Sequence, residues 1–374
     1  MATTSIANPA ISTRLASLDA LRGFDMFWII GADELFYDLA KVSDNSFVQF
    51  MATQLNHPAW HGFSAYDVIF PLFLFIAGVA TPYSTGRELE KGTPKQKLLL
   101  RIIKRGLLLV LLGVIYNNGL NLMPLEKIRF ASVLGRIGLA WMFANIIYLY
   151  AGKKSQIAWF GGLLIGYWLI LLFNAAPGFE AGDLTMEGNF ASYMDRLLLP
   201  GHLYLDIHDP EGFFSTIPAI STGLLGILTG GFIKNHTLEP RKKAAALFVT
   251  GIILILLAQL WNLVFPINKN LWTSSFMLQT GGISLILLSV FYYVIDVLGH
   301  QKWAFFFRII GLNSILIYMS VVFIDWEFSS KAFFGWLSQL VGTPYGVAII
   351  ILGIMALKWL FLYFMYKKKV FLKV

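Results

Sequence analysis

The stretch AAALFVTGIILILLAQLWNLVF, residues 244–265, runs for 22 residues without a charged side chain. A helix needs about 20 mainly apolar residues to cross the hydrocarbon core of a bilayer. The stretch therefore predicts one transmembrane helix. The same criterion applied to the whole chain predicts ten spans, near residues 18–40, 64–84, 98–118, 131–151, 156–175, 213–234, 243–265, 271–298, 303–324 and 343–366.

The composition agrees with a chain whose main solvent is lipid. Of its 374 residues, 57% are hydrophobic and 13% are charged, whereas soluble domains carry roughly 25% charged residues. Cysteine is absent, which excludes disulfides, thiol nucleophiles and thiolate metal sites. We therefore expect an all-α, polytopic transmembrane helix bundle, with 330–342 as an interfacial helix and the Gly226/Gly230 pair as a close helix contact.

The loops between the predicted spans alternate in positive charge, and the richer set is expected to be cytoplasmic. Both termini then lie inside, with 1–17 as a cytoplasmic tail and 18–374 as one transmembrane domain. The net charge of +8 is explained by orientation, so no nucleic-acid partner is expected. The cytoplasmic set comprises Arg14, Arg87, Lys91, Lys95, Lys97, Lys153, Lys154, Lys234, Arg241, Lys242, Lys243, Lys302, Lys367, Lys368, Lys369 and Lys373; the other set comprises Lys41, Lys127, Arg129, Arg196, Lys269 and Lys331.

The first predicted span carries five ionisable residues, which are costly in lipid and tend to face a cavity or each other. Asp19 and Arg22 have the spacing of a helical ion pair. Asp25 follows them, and Asp33 and Glu34 lie nearer the outer end with no cationic partner within the helix. We expect this helix to line a polar path and assign functional roles to Asp33 and Glu34.

The segment 56–67, NHPAWHGFSAYD, precedes the second span on the outer side. A histidine there is a candidate general base or acyl carrier, with Asp67 or Asp33 fixing its tautomer. A structural interpretation is also open, because Ser64 and Asp67 have the spacing of a helix cap. Trp60 equally fits an interfacial anchor.

Other polar groups cluster in the remaining outer loops. His202, Asp206 and His208 suggest a metal, but a metal site needs three or four ligands in fixed geometry, and we expect none. Asp209 and Pro210 have the pattern of a helix start. Lys269, between Asn268 and Asn270, suits a carboxylate, phosphate or sugar hydroxyl.

On the inner side, Arg101, Lys104 and Arg105 form a basic face at the start of the third span. Such a face suits a polyphosphate, although attraction to anionic lipid headgroups is the commoner explanation. Both interpretations remain open from the sequence.

Seven motifs occur in an order that resembles heparan-α-glucosaminide N-acetyltransferases. They are Ser17-Leu-Asp-Ala-Leu-Arg-Gly23, His57-x-x-Trp-x-Gly62, Asp67-x-x-Phe-Pro-x-Phe73, Leu134-Gly-Arg-Ile-Gly138, Asp209-Pro-Glu-Gly212, Pro266-Ile-Asn-Lys-Asn-Leu-Trp272 and Gly311-Leu-Asn-Ser-Ile315. The resemblance implies acetyl transfer from cytosolic acetyl-CoA to the amine of a glucosamine across the membrane. It places the catalytic histidine at His57 and the conserved aspartate at Asp67. A family asparagine falls on Asp33, a departure that bears on substrate or protonation.

We therefore expect a bacterial inner-membrane acetyltransferase with an amino-sugar or glycan acceptor, bound membrane lipid and a possible homo-oligomeric state. A small-solute transporter is the alternative, and an O-acyltransferase for envelope polysaccharide is a third. The expected catalytic residues are His57, Asp67 and Asp33; the expected substrate-binding residues are Asn56, Trp60, His61, Glu34, His202, Glu211, Asn268 and Lys269; and the expected acetyl-CoA-binding residues are Arg101, Lys104 and Arg105.

Overall fold

The computed structural model describes residues 15–121, 123–235 and 237–372. Residues 1–14 of the predicted tail and Lys373 lie outside these ranges. The described residues form helices and two isolated β-bridges but no strand, which confirms the all-α prediction. The α-helices are α1 Ala16–Phe27, α2 Asp33–Ala40, α3 Ser46–Gln54, α4 Ile69–Val79, α5 Thr81–Glu90, α6 Lys95–Asn118, α7 Val133–Tyr150, α8 Lys153–Phe173, α9 Phe190–Leu198, α10 Thr216–Lys234, α11 Pro240–Asn262, α12 Ser274–Phe291, α13 Phe305–Leu312, α14 Ser314–Ser320, α15 Trp326–Val341 and α16 Tyr345–Lys367.

Seven helical segments within the described ranges are long and apolar enough to cross a membrane. Four are single α-helices of the middle of the chain and one is α16; of the other two, one joins α12 to a π-helical turn and one joins a short 3-10 helix to α4 and α5. This marks the chain as an integral membrane protein. The segments are Ala65–Glu90, Val133–Tyr150, Lys153–Phe173, Thr216–Lys234, Pro240–Asn262, Ser274–Val297 and Tyr345–Lys367.

The first predicted span is interrupted rather than continuous. A π-helical turn, Trp28–Ala32, separates α1 from α2, and Gly31 within it has φ +134°. That backbone conformation is strained for any residue with a side chain, and a Cβ at Gly31 would lie 3.2 Å from Met355 Cγ. The Lys358 ammonium donates to the Ile30 carbonyl at 3.0 Å, which satisfies an acceptor at the break.

Helices α4 and α10 pack backbone to backbone through glycines. A Cβ at Gly226 would lie 2.1 Å from the Phe75 carbonyl oxygen, and one at Gly230 would lie 2.3 Å from that of Val79. The predicted close contact at this pair is confirmed. Because α4 follows Asp67 directly and α10 follows the Asp209–Gly212 motif, this contact holds two site-bearing helix ends together.

The long connection between α8 and α10 folds back over the end of the bundle where α4 begins. The Trp60 indole donates to the Leu184 carbonyl at 2.8 Å, and the Gly62 amide donates to the Ile267 carbonyl at 3.0 Å. Three segments that are distant in sequence thus meet around 56–67. Helix α15 occupies the region that the sequence assigned to an interfacial helix.

Candidate active site

His57 and Asp67 form a hydrogen-bonded pair. Their Nδ1 and Oδ1 atoms lie 2.6 Å apart, with the Asp67 side chain fully buried and that of His57 38% exposed. The other carboxylate oxygen accepts from the Ser64 amide at 2.8 Å and closes a capping box on the short helix Ala65–Val68. Because an ionised carboxylate only accepts, His57 Nδ1 carries the proton and Nε2 keeps a free lone pair. The pair can therefore act as an oriented base or nucleophile.

Asp67 makes both contacts that the sequence left open, since one oxygen caps the helix and the other is hydrogen-bonded to His57. Asp33 has a different partner: the Tyr66 hydroxyl donates to Asp33 Oδ2 at 2.6 Å. The Tyr66 ring lies next to the imidazole of His57, with ring centroids 5.1 Å apart. Asp33 thus reaches the histidine through Tyr66, and Asp67 is the residue that fixes the tautomer.

A cavity of about 250 Å³ opens beneath His57. Four polar side chains gather at its His57 end, and its walls are otherwise mostly apolar, which is typical of a ligand site. The polar group comprises His57, Tyr66, Glu211 and Lys269; the remaining walls comprise Met26, Ile29, Ile69, Phe70, Phe73, Tyr116, Val133, Leu134, Ile137, Ser314, Ile315 and Tyr318.

Lys269 is held in place by a tight turn between α11 and α12. The buried Asn268 side chain accepts from the Leu271 amide at 2.9 Å, and the Trp272 amide donates to the Lys269 carbonyl at 3.0 Å. Desolvation lowers the pKa of Lys269, while the nearby charge of Glu211 acts in the opposite direction. Asn268 Nδ2 also lies 3.3 Å from His61 Nδ1, and burial lowers the pKa of His61.

Arg129 positions Glu211, a role that the sequence did not reveal. Its guanidinium contacts both oxygens of Asp209 at 2.8 and 2.7 Å and one oxygen of Glu211 at 2.5 Å. Burial of Asp209 raises its pKa, but the stronger combined effect of Arg129 and backbone donors lowers it. The predicted helix start at Asp209–Pro210 is wrong, because α10 begins at Thr216. The Asp209 carboxylate instead accepts hydrogen bonds from Arg129.

Several predicted site residues lie outside this cavity. His202 is exposed, 3.8 Å from the exposed Asp206, whereas His208 is buried with Nδ1 2.7 Å from Ser192 Oγ. These three side chains do not converge. Across the described ranges, no group of three or more histidine or acidic side chains is arranged to hold a metal.

Three further residues that were predicted to bind substrate are spread around the site: Asn56, Trp60 and Glu34. Asn56 accepts from the His57 amide at 3.0 Å and shapes the turn, and Trp60 braces the long connection. Glu34 lines a separate cavity of about 1050 Å³, together with Lys358 of α16. Asn56 and Trp60 thus support the site, and Glu34 faces away from it.

A third cavity, of about 420 Å³, lies at the opposite end of Ala65–Glu90. It is lined by Arg87, Arg101 and Arg105 and is called the basic cavity. Arg101 approaches Glu88 at 3.5 Å, and the Arg105 guanidinium lies 4.4 Å from the centre of the Trp141 ring. Lys104 is exposed on another face of α6 and does not line this cavity. Two of the three predicted acetyl-CoA-binding residues therefore share one basic cavity.

The cavity beneath His57 and the basic cavity approach each other along α7. Ile137 lines the cavity under His57 and Trp141 lines the basic one. Four residues of α-helix span about 6 Å, so roughly one helical turn separates the cavities at this point. This one-turn stretch of α7 forms a barrier between the two cavities.

Two polar side chains in quoted motifs were not assigned a role from sequence. Tyr66 lies within 56–67 and bonds to Asp33. Arg136 is buried in α7, donates to the Gly212 carbonyl at 3.0 Å and lies 5.1 Å from the Trp272 ring centre. An arginine inside an apolar helix is a signal of function or of a buried partner, and it marks Arg136.

Comparison with known proteins gives a consistent result. A family model described as "Heparan-alpha-glucosaminide N-acetyltransferase, catalytic" matches residues 14–260. The human protein named heparan-alpha-glucosaminide N-acetyltransferase is 28% identical over 83% of this chain and 53% of its own length. The mouse protein of the same name is 30% identical over 85% of this chain and 56% of its own length.

This chain thus spans about half the length of the curated relatives it matches. The family match covers the first span, the His57–Asp67 pair and the basic cavity, and it extends into α11. The chain belongs to the heparan-alpha-glucosaminide N-acetyltransferase catalytic family.

Proposed function

We propose that this protein is a transmembrane acetyltransferase. It takes the acetyl group of acetyl-CoA on the cytoplasmic side and transfers it to the amine of a glucosamine-type sugar on the other side. The observation that carries this proposal is the His57–Asp67 pair at 2.6 Å, which opens on a cavity. A basic cavity for the CoA phosphates lies at the far end of the same helical segment. The family assignment and the two relatives support the reaction class.

The proposed topology has ten spans with both termini cytoplasmic. Beyond the seven apolar segments, the pairs α1–α2 and α13–α14 and the single helix α6 complete the count. The 24-residue α6 is long enough to span, but five lysines and arginines in its first eleven residues reduce its mean hydropathy. These charges lie on the half of α6 that contributes Arg101 and Arg105 to the basic cavity, and the positive-inside rule makes that half cytoplasmic.

His57 Nε2 is the proposed base. The acceptor enters as an ammonium, loses a proton to Nε2, and its neutral nitrogen attacks the thioester carbonyl. The C–N bond forms, the C–S bond breaks and CoA leaves as a thiolate. Alternatively, Nε2 attacks first and carries the acetyl group to the amine. Buried Asp67 stabilises the imidazolium in the first route and the acetyl-imidazole orientation in the second.

Lys269 and Glu211 are the proposed sugar contacts, because both reach the cavity beside His57. Lys269 donates to hydroxyl oxygens, and Glu211, held by Arg129, accepts from hydroxyls or from the incoming ammonium. Asn56, Trp60, Asn268 and His61 are proposed to hold the loops around the sugar. Asp33 is proposed to act on His57 through Tyr66, whereas Glu34 and His202 lie outside this cavity.

Arg101 and Arg105 are the proposed phosphate contacts for acetyl-CoA, because guanidinium groups match phosphate geometry. Lys104, on the exposed face of α6, is proposed to act on the same phosphates from outside the cavity. We place the protein in a bacterial inner membrane, with lipid around the bundle and a homo-oligomer as its assembly. A transporter, the alternative from sequence, does not require an oriented His–Asp pair.

The test uses purified protein in liposomes, with labelled acetyl-CoA added on one side and glucosamine on both. We expect labelled N-acetylglucosamine from the wild type and none from His57→Ala. His300→Ala is the matched control, because His300 is exposed and lines neither cavity. Label on His57 after acid quench without sugar identifies the two-step route. Wild-type protein that neither acetylates the sugar nor binds CoA would overturn the proposal.

A further inference from the structure

Asp25 is a buried carboxyl that the proposed mechanism does not yet use. It lies on α1 with no exposed surface, and neither of its oxygens has a hydrogen-bond partner within the described ranges. An unpaired carboxylate is very costly in such a place. Some interaction or protonation must therefore compensate for its burial.

Its position relates it to both cavities. Met26 and Ile29, one and four residues further along α1, line the cavity beneath His57. One turn back, Arg22 is the positive charge that acts on Asp25, and Arg22 in turn lies near enough to Arg105 of the basic cavity for their charges to repel. Asp25 thus lies on α1 between Arg22 and two residues that line the cavity beneath His57, and it lines neither cavity itself.

Few other charges face this position. The elements packed on α1 are α4, α12, α13, α14 and the two π-helical turns. Their only charged side chains are Arg308 of α13 and Asp296 of the turn Tyr292–Val297, and Asp296 is hydrogen-bonded to the Ser17 backbone and side chain. Arg22 is shared with Asp19, 3.6 Å away. Asp25 therefore has no cation of its own.

We propose that Asp25 carries a proton and donates it to the departing thiolate of CoA. This inference rests on the proposed acetyl transfer. The thioester sulfur must pass between the cavities as CoA withdraws, and a thiolate crossing that apolar barrier needs a proton. The Asp25 carboxyl is the acidic group on that route with no other hydrogen-bonding role.

The step balances. The C–S bond breaks, the sulfur takes the proton of the Asp25 carboxyl, and CoA leaves as the neutral thiol. The Asp25 carboxylate, facing Arg22, then regains a proton from water of the basic cavity. The ammonium loses two protons in becoming an amide: His57 Nε2 takes the first and passes it to water, and the second leaves the amide nitrogen for water on the same side. Two protons are thus released on the His57 side and one is taken up at the CoA end, so the net products are one amide, one thiol and one proton.

The test combines infrared spectroscopy with kinetics on the full-length protein. At pH 8, we expect the C=O stretch of one protonated carboxylic acid, which is lost in Asp25→Asn and shifted in Asp25→Glu. The band should decrease when acetyl-CoA and glucosamine turn over.

For Asp25→Asn we expect kcat to fall about 10²-fold or more, as for loss of a general acid, while KM for acetyl-CoA stays within about threefold. Asp25→Glu should restore part of kcat. The control Asp38→Asn changes a partly exposed carboxylate and should alter neither the band nor kcat.

The outcomes are separable. A wild type without the carboxylic acid band, or an Asp25→Asn variant that keeps wild-type kcat, would refute the proton donor. A band that persists in Asp25→Asn would assign the proton to another group and would also refute the role of Asp25 as proton donor. If the wild type shows the band but acetylates no sugar, the acetyltransferase proposal fails while the protonated carboxyl at Asp25 stands.

Discussion

Asp67 divides its two carboxylate oxygens between His57 and the cap of the short helix Ala65–Val68. Oδ1 lies 2.6 Å from His57 Nδ1, and Oδ2 accepts from the Ser64 amide at 2.8 Å. In Asp67→Asn, one of these acceptors becomes an amide donor. If it faces His57, Nδ1 must accept, and the wrong tautomer loses the free Nε2 lone pair. We expect acetyl transfer to fall about 10²–10⁴-fold, the range for loss of general base action.

Ser64→Ala is the matched control for this prediction, because it removes only the side chain of the cap. Its cost should be about 1 kcal/mol of stability, as for other helix caps, with acetyl transfer close to wild type. Rates and melting temperatures measured on both variants separate the two roles. Equal loss of activity in both would show that Asp67 acts only through folding.

Tyr66 and Asp33 should be energetically coupled. The hydroxyl donates to Asp33 Oδ2 at 2.6 Å, and Oδ1 has no partner among the described residues. Tyr66→Phe leaves the carboxylate without its donor, which costs about 1–3 kcal/mol for a buried group. Asp33→Asn keeps an acceptor for the hydroxyl and removes the charge, so it should be milder.

A double-mutant cycle on the free energy of unfolding measures this coupling. In the Asp33→Asn background, Tyr66→Phe should cost less than it does in the wild type, by about 1 kcal/mol or more. Additive effects would mean that the charge of Asp33 adds nothing to the stability that this hydrogen bond provides. Activity of Asp33→Asn also reports whether the family asparagine is tolerated at this position.

Hydropathy and charge were sufficient to predict the bundle, as α11 illustrates. The predicted span 243–265 is observed as Pro240–Asn262, because apolar length is a local property of the chain. The break at Gly31 was not predictable, since a glycine in an apolar run is ordinary and its positive φ depends on α16 packed beside it.

The site was predicted in part for the same reason. Asp67 lies ten residues from His57, so their pairing could be proposed from one segment. Arg129 and Glu211 are 82 residues apart, and a lone arginine before a span indicates topology rather than a partner. Long-range contacts of this kind require the fold itself.

Lys269 is expected to lower the stability of the protein while being required for sugar acetylation. Its ammonium is desolvated, which lowers its pKa from the ordinary 10.5. The native state then binds the proton less readily than the unfolded chain, so this group lowers stability at pH values below 10.5, and the deficit disappears above pH 10.5. Lys269→Met should raise the melting temperature at pH 7 and abolish sugar acetylation.

Lys331→Met is the control for that substitution. Lys331 is exposed and pairs with Glu327 at 2.5 Å, and exposed pairs contribute little. Its melting temperature and activity should match the wild type. A Lys269→Met variant that melts lower than the wild type would show that the ammonium is stabilised by partners within the site.

His208 should make the protein sensitive to acid. Burial lowers its pKa to about 4. Asn189 donates to Ser192 Oγ, whose hydroxyl hydrogen therefore points to His208 Nδ1. Between pH 6.5 and 4 the unfolded chain binds a proton that the native histidine does not, so stability decreases as the pH falls. In His208→Asn, the Asn oxygen can accept the same hydroxyl without titrating. Its melting temperature should fall less steeply across this range than that of the wild type.

Asp195, in the same folded connection, provides a control of opposite sign. Burial raises its pKa to about 6, so on acidification the native carboxyl takes up a proton before the unfolded one does. Stability from this group therefore increases as the pH falls from 6 to 3.8. Asp195→Asn removes that gain and should steepen the acid loss, whereas His208→Asn should flatten it. Because both residues belong to the same connection, a shift of both variants in one direction would indicate disruption of the fold and refute the titration of His208.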